Sequence, residues 1–416
     1  MMPQDPLNVL FVEPRYPGRL GPVADWLVRD RGYRCWFYYN KTEPREHWPS
    51  SPGPALEMVH FGVGGVAKEQ VVPWTRHLER GMCYAYGAYE VMDMKRPRPL
   101  DAIVGRSAGL GSTLFASLIY PGLPILNYFD GFLRPRKNDL ADEDTPLLPA
   151  EYVHWRRAAN AMDFLDLENR VVPWAPSPWQ RGLYPREYHD DFFVLFEGVD
   201  TRRFEGRLGP RVVAGHRLDE GTRLVTFVTR VPDRLRGFDR FLTLANRLIR
   251  ERSDVVCACV GQGVVERMHD VRFPGKDFAQ GLLDADPPSD PSRLWRLGNV
   301  PRAEVAELLR TSDLHVYPSR PFAVSRSMVE AMAAGSVVMA WDSEPVREFV
   351  EPGRTGLIVP TDDPEAAYRQ AVEVLDDPAR FRPVGEAAAE AARERFSHDV
   401  LLPRLASRLD ALTGSV

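Results

Sequence analysis

At 416 residues the chain exceeds one ordinary core, and a size of about 150 residues per domain predicts two large domains that need no disulfide or metal staple. The formal charge of −5 and cations that are nearly all arginine give no strong basic field for nucleic acid or an anionic membrane, while leaving isolated phosphate contacts open. Cys35, Cys83, Cys257 and Cys259 have no metal-ligand spacing and read as buried core thiols. The start, MMPQDPLNVLFV, lacks a basic region followed by a long apolar run. No segment approaches the roughly 20 apolar residues of a membrane span, so the expected compartment is the cytosol.

In chain order, the first half alternates short apolar runs with helical stretches: LNVLFV (7–12), a helix over 20–31, YRCWFYY (33–39), EMVHF (57–61), DAIVG (101–105) and LPILNYF (123–129). Such alternation predicts βαβ units and a parallel sheet. GVGGVA (62–67) fits the G-x-G-x-x-A dinucleotide pattern. It follows the third strand, whereas that fingerprint belongs at the first, so it reads as a loop lining a cleft. Residues 134–149, Pro-rich and acidic, read as an exposed loop. A helix over 150–168 comes next, and Glu197 to Asp200 reads as a hinge. The second half repeats the scheme with RLVTFVTR (223–230), a helix over 238–251, VVCACVGQG (255–263), a Pro- and Asp-rich loop over 264–296, and a helix over 302–311.

Leu314 to Asp342 then reads as one β-loop-α-β unit. The apolar run Leu314 to Tyr317, closed by Pro318, predicts a buried strand. From Ser325 the spacing of Met328, Val329, Met332 and Ala333 predicts a helix, which Gly335 ends where a positive φ is wanted, and Val337 to Trp341 is the next strand. The unit places its loop and helix N-terminus at the carboxyl edge of a parallel sheet, where N–H groups and the helix dipole favour an anion. Residues 383–412 are helical.

Together, VTR…RGF (228–238), VGQG (260–263), LGNVP (297–301), YPS…MVEAMAAG (317–335) and EPVREFVEPGRTGLIV (344–359) resemble the donor half of the GT-B glycosyltransferases. The branch is the large retaining one with a Glu, seven residues, Glu motif, of the family 4, group 1 type. The first half resembles it more loosely, through YPG (16–18) and GVDTRRF (198–204). The resemblance implies an α/β chain of two Rossmann-like domains facing across a cleft. The acceptor domain would span 1–198 and the nucleotide-sugar donor domain 199–385, with a helical segment over 386–416 packing back on the first. It implies transfer of a sugar from a nucleotide-diphosphate donor to an unidentified acceptor, with retention, no metal and no cofactor. Nucleic acid is not an expected partner, and the oligomeric state is open.

Arg230 and Arg236, at a strand end and in the loop before a helix, sit where two cations can hold a pyrophosphate. The family has Arg and usually Lys at these places, so Arg236 is a mild departure. Gly18 and the backbone of Ala323, Val324 and Ser325 complete the implied phosphate contacts, since an N–H suffices there. Gly261 and Gly263 allow close backbone approach, and Val300 would border the nucleobase. Glu330 is implied to accept hydrogen bonds from the ribose hydroxyls, as an ionised carboxylate can. Ser327-x-x-Glu330 is equally a capping box, which needs no ligand. The first Glu of the motif should lie eight positions before Glu330, where Phe322 stands, so sugar contacts would fall to Phe322 and Arg326. Asp130, after ILNYF, holds roughly the place where this fold puts a His or acid facing the anomeric carbon. Arg106, after DAIVG, lies at another strand end on the same edge. These two are the catalytic candidates, and either can be an ordinary loop residue. His47, His60, His77 and His154 show no metal spacing. Rival readings are an epimerase or phosphorylase on the same fold, or a non-catalytic nucleotide- or glycan-binding relative.

Overall fold

The computed structural model describes residues 6–40, 55–63, 75–107, 110–134, 154, 157–205, 211–262 and 277–414. The chain divides into two units, Met1–Glu197 with Leu401–Val416, and Gly198–Val400. In the first, β1 (Asn8–Val12), β2 (Arg34–Asn40), β3 (Leu56–Phe61), β4 (Ala102–Arg106), β5 (Ile125–Tyr128), β6 (Val172–Ala175) and β7 (Phe193–Val194) form one sheet in the order β3-β2-β1-β4-β5-β6-β7. Every pairing in it is parallel. The order reverses between β1 and β4, and the carboxyl ends of strands beside such a switch point border the crevice where open α/β sheets bind ligands.

The second unit carries a small antiparallel hairpin, β8 (Val212–Val213) with β9 (His216–Arg217). Its main sheet holds β10 (Arg223–Val228), β11 (Val255–Val260), β12 (Leu294–Gly298), β13 (Leu314–Tyr317), β14 (Val338–Trp341) and β15 (Leu357–Val359) in the order β12-β11-β10-β13-β14-β15. It too is parallel throughout, with its switch point between β10 and β13. β10, β11, β13 and β14 are buried at nearly every position without alternation, as parallel strands covered on both faces are. The helix Phe238–Glu251 lays Phe238, Phe241, Leu242, Ala245, Leu248 and Ile249 in the core, and Phe241 stacks on Phe227 of β10 at 4.8 Å between centroids. Gly385 of the helix Pro378–Arg395 meets the turn after Arg326–Ala333 so closely that a Cβ there would lie 2.2 Å from the Gly335 carbonyl oxygen.

Several expectations shift. The stretch expected to be helical over 383–412 is so, and it consists of two helices, Pro378–Arg395 and His398–Thr413. Between them Ser397 bridges to Val199, with Val199 donating to the Phe396 carbonyl and His398 to the Val199 carbonyl. Pairing with the hinge segment is a tertiary contact that helical periodicity does not report. The segment counted with the first unit begins at Leu401, and the helix that crosses residue 385 stays in the second. The expected loop over 264–296 holds the helix Phe278–Ala285, capped by the Asp277 side chain on the Ala279 N–H, and the start of β12. Two turns flanked by Pro and Asp give too little periodicity to register. Within the expected helix over 150–168, the described continuous element is Ala161–Glu168. Only Gly62 and Val63 of GVGGVA are among the described residues. Cys35, Cys257 and Cys259 are buried, as expected of core thiols, but Cys83 is only partly covered. Among the described residues no helix is long and apolar enough to cross a membrane.

Candidate active site

The carboxyl edge of the second sheet gathers most of the residues singled out for the donor. Gly261 follows β11 with φ +126, and a Cβ on it would lie 2.4 Å from the Thr229 carbonyl oxygen. Only glycine lets the two strand ends meet so closely. Gln262 then donates to the Arg230 carbonyl at 3.1 Å, and Gly261 to the Gly298 carbonyl at 2.8 Å, so the ends of β10, β11 and β12 are laced together. Arg230 is exposed at this edge. The loop from Val231 to Gly237 is shaped by Asp233, whose Oδ1 accepts the Arg236 N–H at 2.8 Å. Burial pushes the Asp233 carboxyl above its ordinary value, and Arg236, Arg230 and Arg320 oppose that rise.

Arg236 reaches across to the Pro318–Ser325 segment. Its Nη1 donates to the Ala323 carbonyl at 3.4 Å, and its guanidinium lies 5.2 Å from the centroid of the Phe322 ring. That is within cation–π range. Beneath them Arg320, buried, holds Asp239 through two nitrogens at 3.0 and 2.9 Å and pins the segment to the helix Phe238–Glu251. Arg236 and Phe322 therefore stand together with Ala323, and both Ala323 and Val324 are buried. Ser325 differs from expectation. Its N–H donates to the Tyr317 hydroxyl at 2.9 Å, and its side chain caps the helix Arg326–Ala333 by accepting from Ser327 at 3.3 Å. The Ser325 N–H is thus committed inside the protein, whereas the sequence reading assigned it to a phosphate. Arg326 opens that helix, half-buried.

Glu330 lies on the same helix, buried, and is not a capping-box residue, because the cap is Ser325 and Ser327 is already helical. Its carboxylate takes Arg302 through two nitrogens, Nη2 at 2.8 Å and Nη1 at 3.3 Å. Arg302 starts the helix Arg302–Thr311, two residues after Val300, which is half-buried. The pair ties the Asn299–Pro301 turn to the helix bearing Glu330, which is where the resemblance puts the nucleoside. Gly263 lies outside the described residues.

In the first unit Asp130 and Arg106 come together, but as part of a larger buried network. Arg106 Nη2 donates to Asp130 Oδ2 at 2.6 Å and its Nη1 to Glu13 Oε1 at 3.0 Å. Arg19 Nε reaches the same Asp130 oxygen at 3.0 Å, and its Nη1 pairs with Glu197. Glu197 also accepts the Tyr128 hydroxyl at 2.6 Å, and Gln180 donates to the Asp130 carbonyl at 2.9 Å. Burial pushes the Glu13 carboxyl up, against Arg106 and the N–H groups of Leu20 and Arg19.

Gly18, expected at a donor phosphate, lies in the turn between β1 and the helix Gly21–Arg31. With φ +56 it packs on Glu13, whose carboxylate accepts the N–H groups of Arg19 and Leu20 ahead of the helix Gly21–Arg31. A carboxylate of the chain fills the place at this helix start where an external anion would bind. Glu13, Arg19 and Arg302 were missed in the sequence. The available signal for Glu13 was a carboxylate directly after the first strand, at the edge where such sheets work. Among the described residues no three His, Cys, Asp or Glu side chains cluster as metal ligands.

Residues 31–204 match the model of the glycosyl transferase family 4 group and residues 222–377 that of glycosyl transferases group 1. The D-inositol 3-phosphate glycosyltransferase of Streptomyces scabiei is 25% identical across 84% of this chain and 75% of its own length. Of several other relatives the chain spans about half the length. The sucrose-phosphate synthase of Thermosynechococcus elongatus shares the fold with a TM-score of 0.73 at 16% identity, over 99% of this chain and 100% of that one. HepE of Anabaena, solved with UDP and glucose, shares it with a TM-score of 0.67 at 16% identity, over 97% and 100%.

Proposed function

Because the chain belongs to the GT-B glycosyltransferases of the family 4, group 1 type, we propose that it transfers a sugar from a nucleoside-diphosphate donor with retention of anomeric configuration. Two arginines, rather than a metal, neutralise the leaving diphosphate. The observation that carries this reading is the meeting of Arg236 with Phe322 and Ala323 at the edge where Arg230 also stands. Departure of the diphosphate leaves an oxocarbenium-like sugar, and fixed cations at the leaving oxygens lower that barrier. Asp130, with two guanidinium groups on one oxygen, is suited to stabilising positive charge on the sugar or placing the acceptor rather than to passing a proton.

HepE was solved with UDP and glucose, which makes UDP and UDP-glucose the first ligands of a thermal-shift panel of nucleoside diphosphates and their sugars. A ligand at 100 times its Kd adds roughly 2.7 kcal/mol of stability. A panel in which no diphosphate stabilises the protein sinks the donor reading. Within it, Arg230→Ala and Arg236→Ala should each lose charge-assisted hydrogen bonds worth about 1.5 to 3 kcal/mol of diphosphate affinity. Nucleoside affinity should barely change. Equal losses for both ligands would place the arginines elsewhere.

Glu330→Gln separates ribose contact from structural pairing. Arg302 is about one-third exposed, so losing the pair should lower stability by no more than about 1 kcal/mol. If Glu330 accepts from the ribose, the affinities for nucleoside and diphosphate should fall together by about 1.5 to 3 kcal/mol. Unchanged binding with reduced stability would leave Glu330 as the partner of Arg302 only.

Phe322, an aromatic where the motif has its first Glu, favours one second reading, a nucleotide binder without turnover. Release of UDP from UDP-glucose and other nucleotide sugars, measured over hours, decides between the two.

A further inference from the structure

We propose that Glu13 is a positioning residue, a resident anion that holds Arg106 and through it Asp130. The inference rests on the reading of Asp130 as the residue of the first unit that faces sugar or acceptor. Glu13 follows β1 and is completely buried. Its carboxylate accepts from the Arg19 N–H at 3.0 Å, the Leu20 N–H at 2.9 Å and Arg106 Nη1 at 3.0 Å. A Cβ on Gly18 would lie 2.4 Å from its Oε2, so the glycine turn is wrapped on the carboxylate and leaves no room for a side chain.

Two consequences follow from charge and geometry. At the start of the helix Gly21–Arg31 the N–H groups and dipole favour an anion, and Glu13 supplies one from within. Arg106 then lies between two carboxylates, with one terminal nitrogen on Glu13 and the other on Asp130. Held at both nitrogens, its planar guanidinium cannot rotate, and the Asp130 oxygen it shares with Arg19 is fixed at the end of β5. Without Glu13 the Arg19 and Leu20 N–H groups and one end of Arg106 lose their common acceptor, so both arginines on Asp130 are loosened, Arg106 at its guanidinium and Arg19 at its backbone.

The test is anion rescue. Glu13→Ala leaves a space lined by two N–H groups and a guanidinium, which formate matches in charge and size. Formate should raise the melting temperature of Glu13→Ala in a saturable way and leave the parent and the isosteric, filled Glu13→Gln unmoved. With whichever nucleotide sugar the parent turns over, kcat of Glu13→Ala should fall about 100-fold, as small misplacements of reacting groups do. Donor KM should stay close to the parent's, and formate should restore part of kcat. A Glu13→Ala protein indifferent to formate in both melting and turnover, or a parent that responds equally, overturns the proposal. So does stability rescued with kcat left low, which would make Glu13 structural only. If the parent turns over no nucleotide sugar, the transferase reading fails by itself, and with it the positioning role, while the melting response still decides whether Glu13 is a resident anion.

Discussion

Gly237→Ala is expected to destabilise the second unit by about 2 to 5 kcal/mol and to weaken diphosphate binding in whatever protein remains folded. A side chain in the left-handed region costs about 1 to 2 kcal/mol, and overpacking adds about 1 to 3 kcal/mol. Gly237 has φ +76, and a Cβ there would stand 2.1 Å from the Pro318 carbonyl oxygen and 2.6 Å from its carbon. Backbone cannot yield as the tip of a flexible side chain can. Relief requires the Val231–Gly237 loop to move off the strand end at Pro318, which also draws Arg236 away from Phe322 and Ala323. Gly353 is the control, because it has φ +75 with nothing within 4 Å of its Cβ position. Gly353→Ala should cost only the conformational part. Urea midpoints that fall equally for the two variants would show that the approach of Pro318 constrains nothing.

Acid should destabilise the second unit through His315, by about 2 kcal/mol between pH 7 and pH 5. His315 lies in β13 between Thr226 of β10 and Val338 of β14 and is fully buried. Its Nδ1 meets Thr226 Oγ1 at 3.0 Å, and its Nε2 has no hydrogen-bond partner among the described residues. Burial disfavours the imidazolium and pulls the ring from 6.5 down to about 3. The unfolded chain therefore takes up a proton near 6.5 while the folded one stays neutral until about 3. The stability present above 6.5 is lost as pH falls through that window. His398, pulled down to about 4 mainly by burial, acts in the same direction. His315→Gln keeps a hydrogen-bonding group for Thr226 and cannot titrate, so its loss of stability between these pH values should be smaller than the parent's by about 2 kcal/mol. Equal losses for parent and variant in urea titrations at the two pH values would mean that His315 takes up its proton as readily in the folded state as in the unfolded chain.

Much of the carboxyl edge of the second sheet is legible without coordinates. The apolar runs of β10, β11, β13 and β14 and Gly261 after β11 are local signals, because strand burial and turn conformation depend on neighbours in sequence. Arg230 and Arg236 are recognisable for the same reason, since a strand end and the loop before a helix can be located by counting residues. The partners of the buried charges are another matter. Glu13 meets Arg106 only because β1 lies beside β4 in the sheet, 93 positions along the chain, and Glu330 meets Arg302 only because the helices that carry them pack together. Nothing in the period of a strand or helix reports such a meeting. Periodicity records which face is buried, whereas a buried charge is satisfied by whatever opposite charge the strand order delivers. The chain alone therefore determined two parallel α/β units and the placing of two arginines at a strand edge. Only the tertiary structure decided that Gly18 wraps a carboxylate, that the Ser325 N–H is already taken, and that Asp130 is held by two arginines.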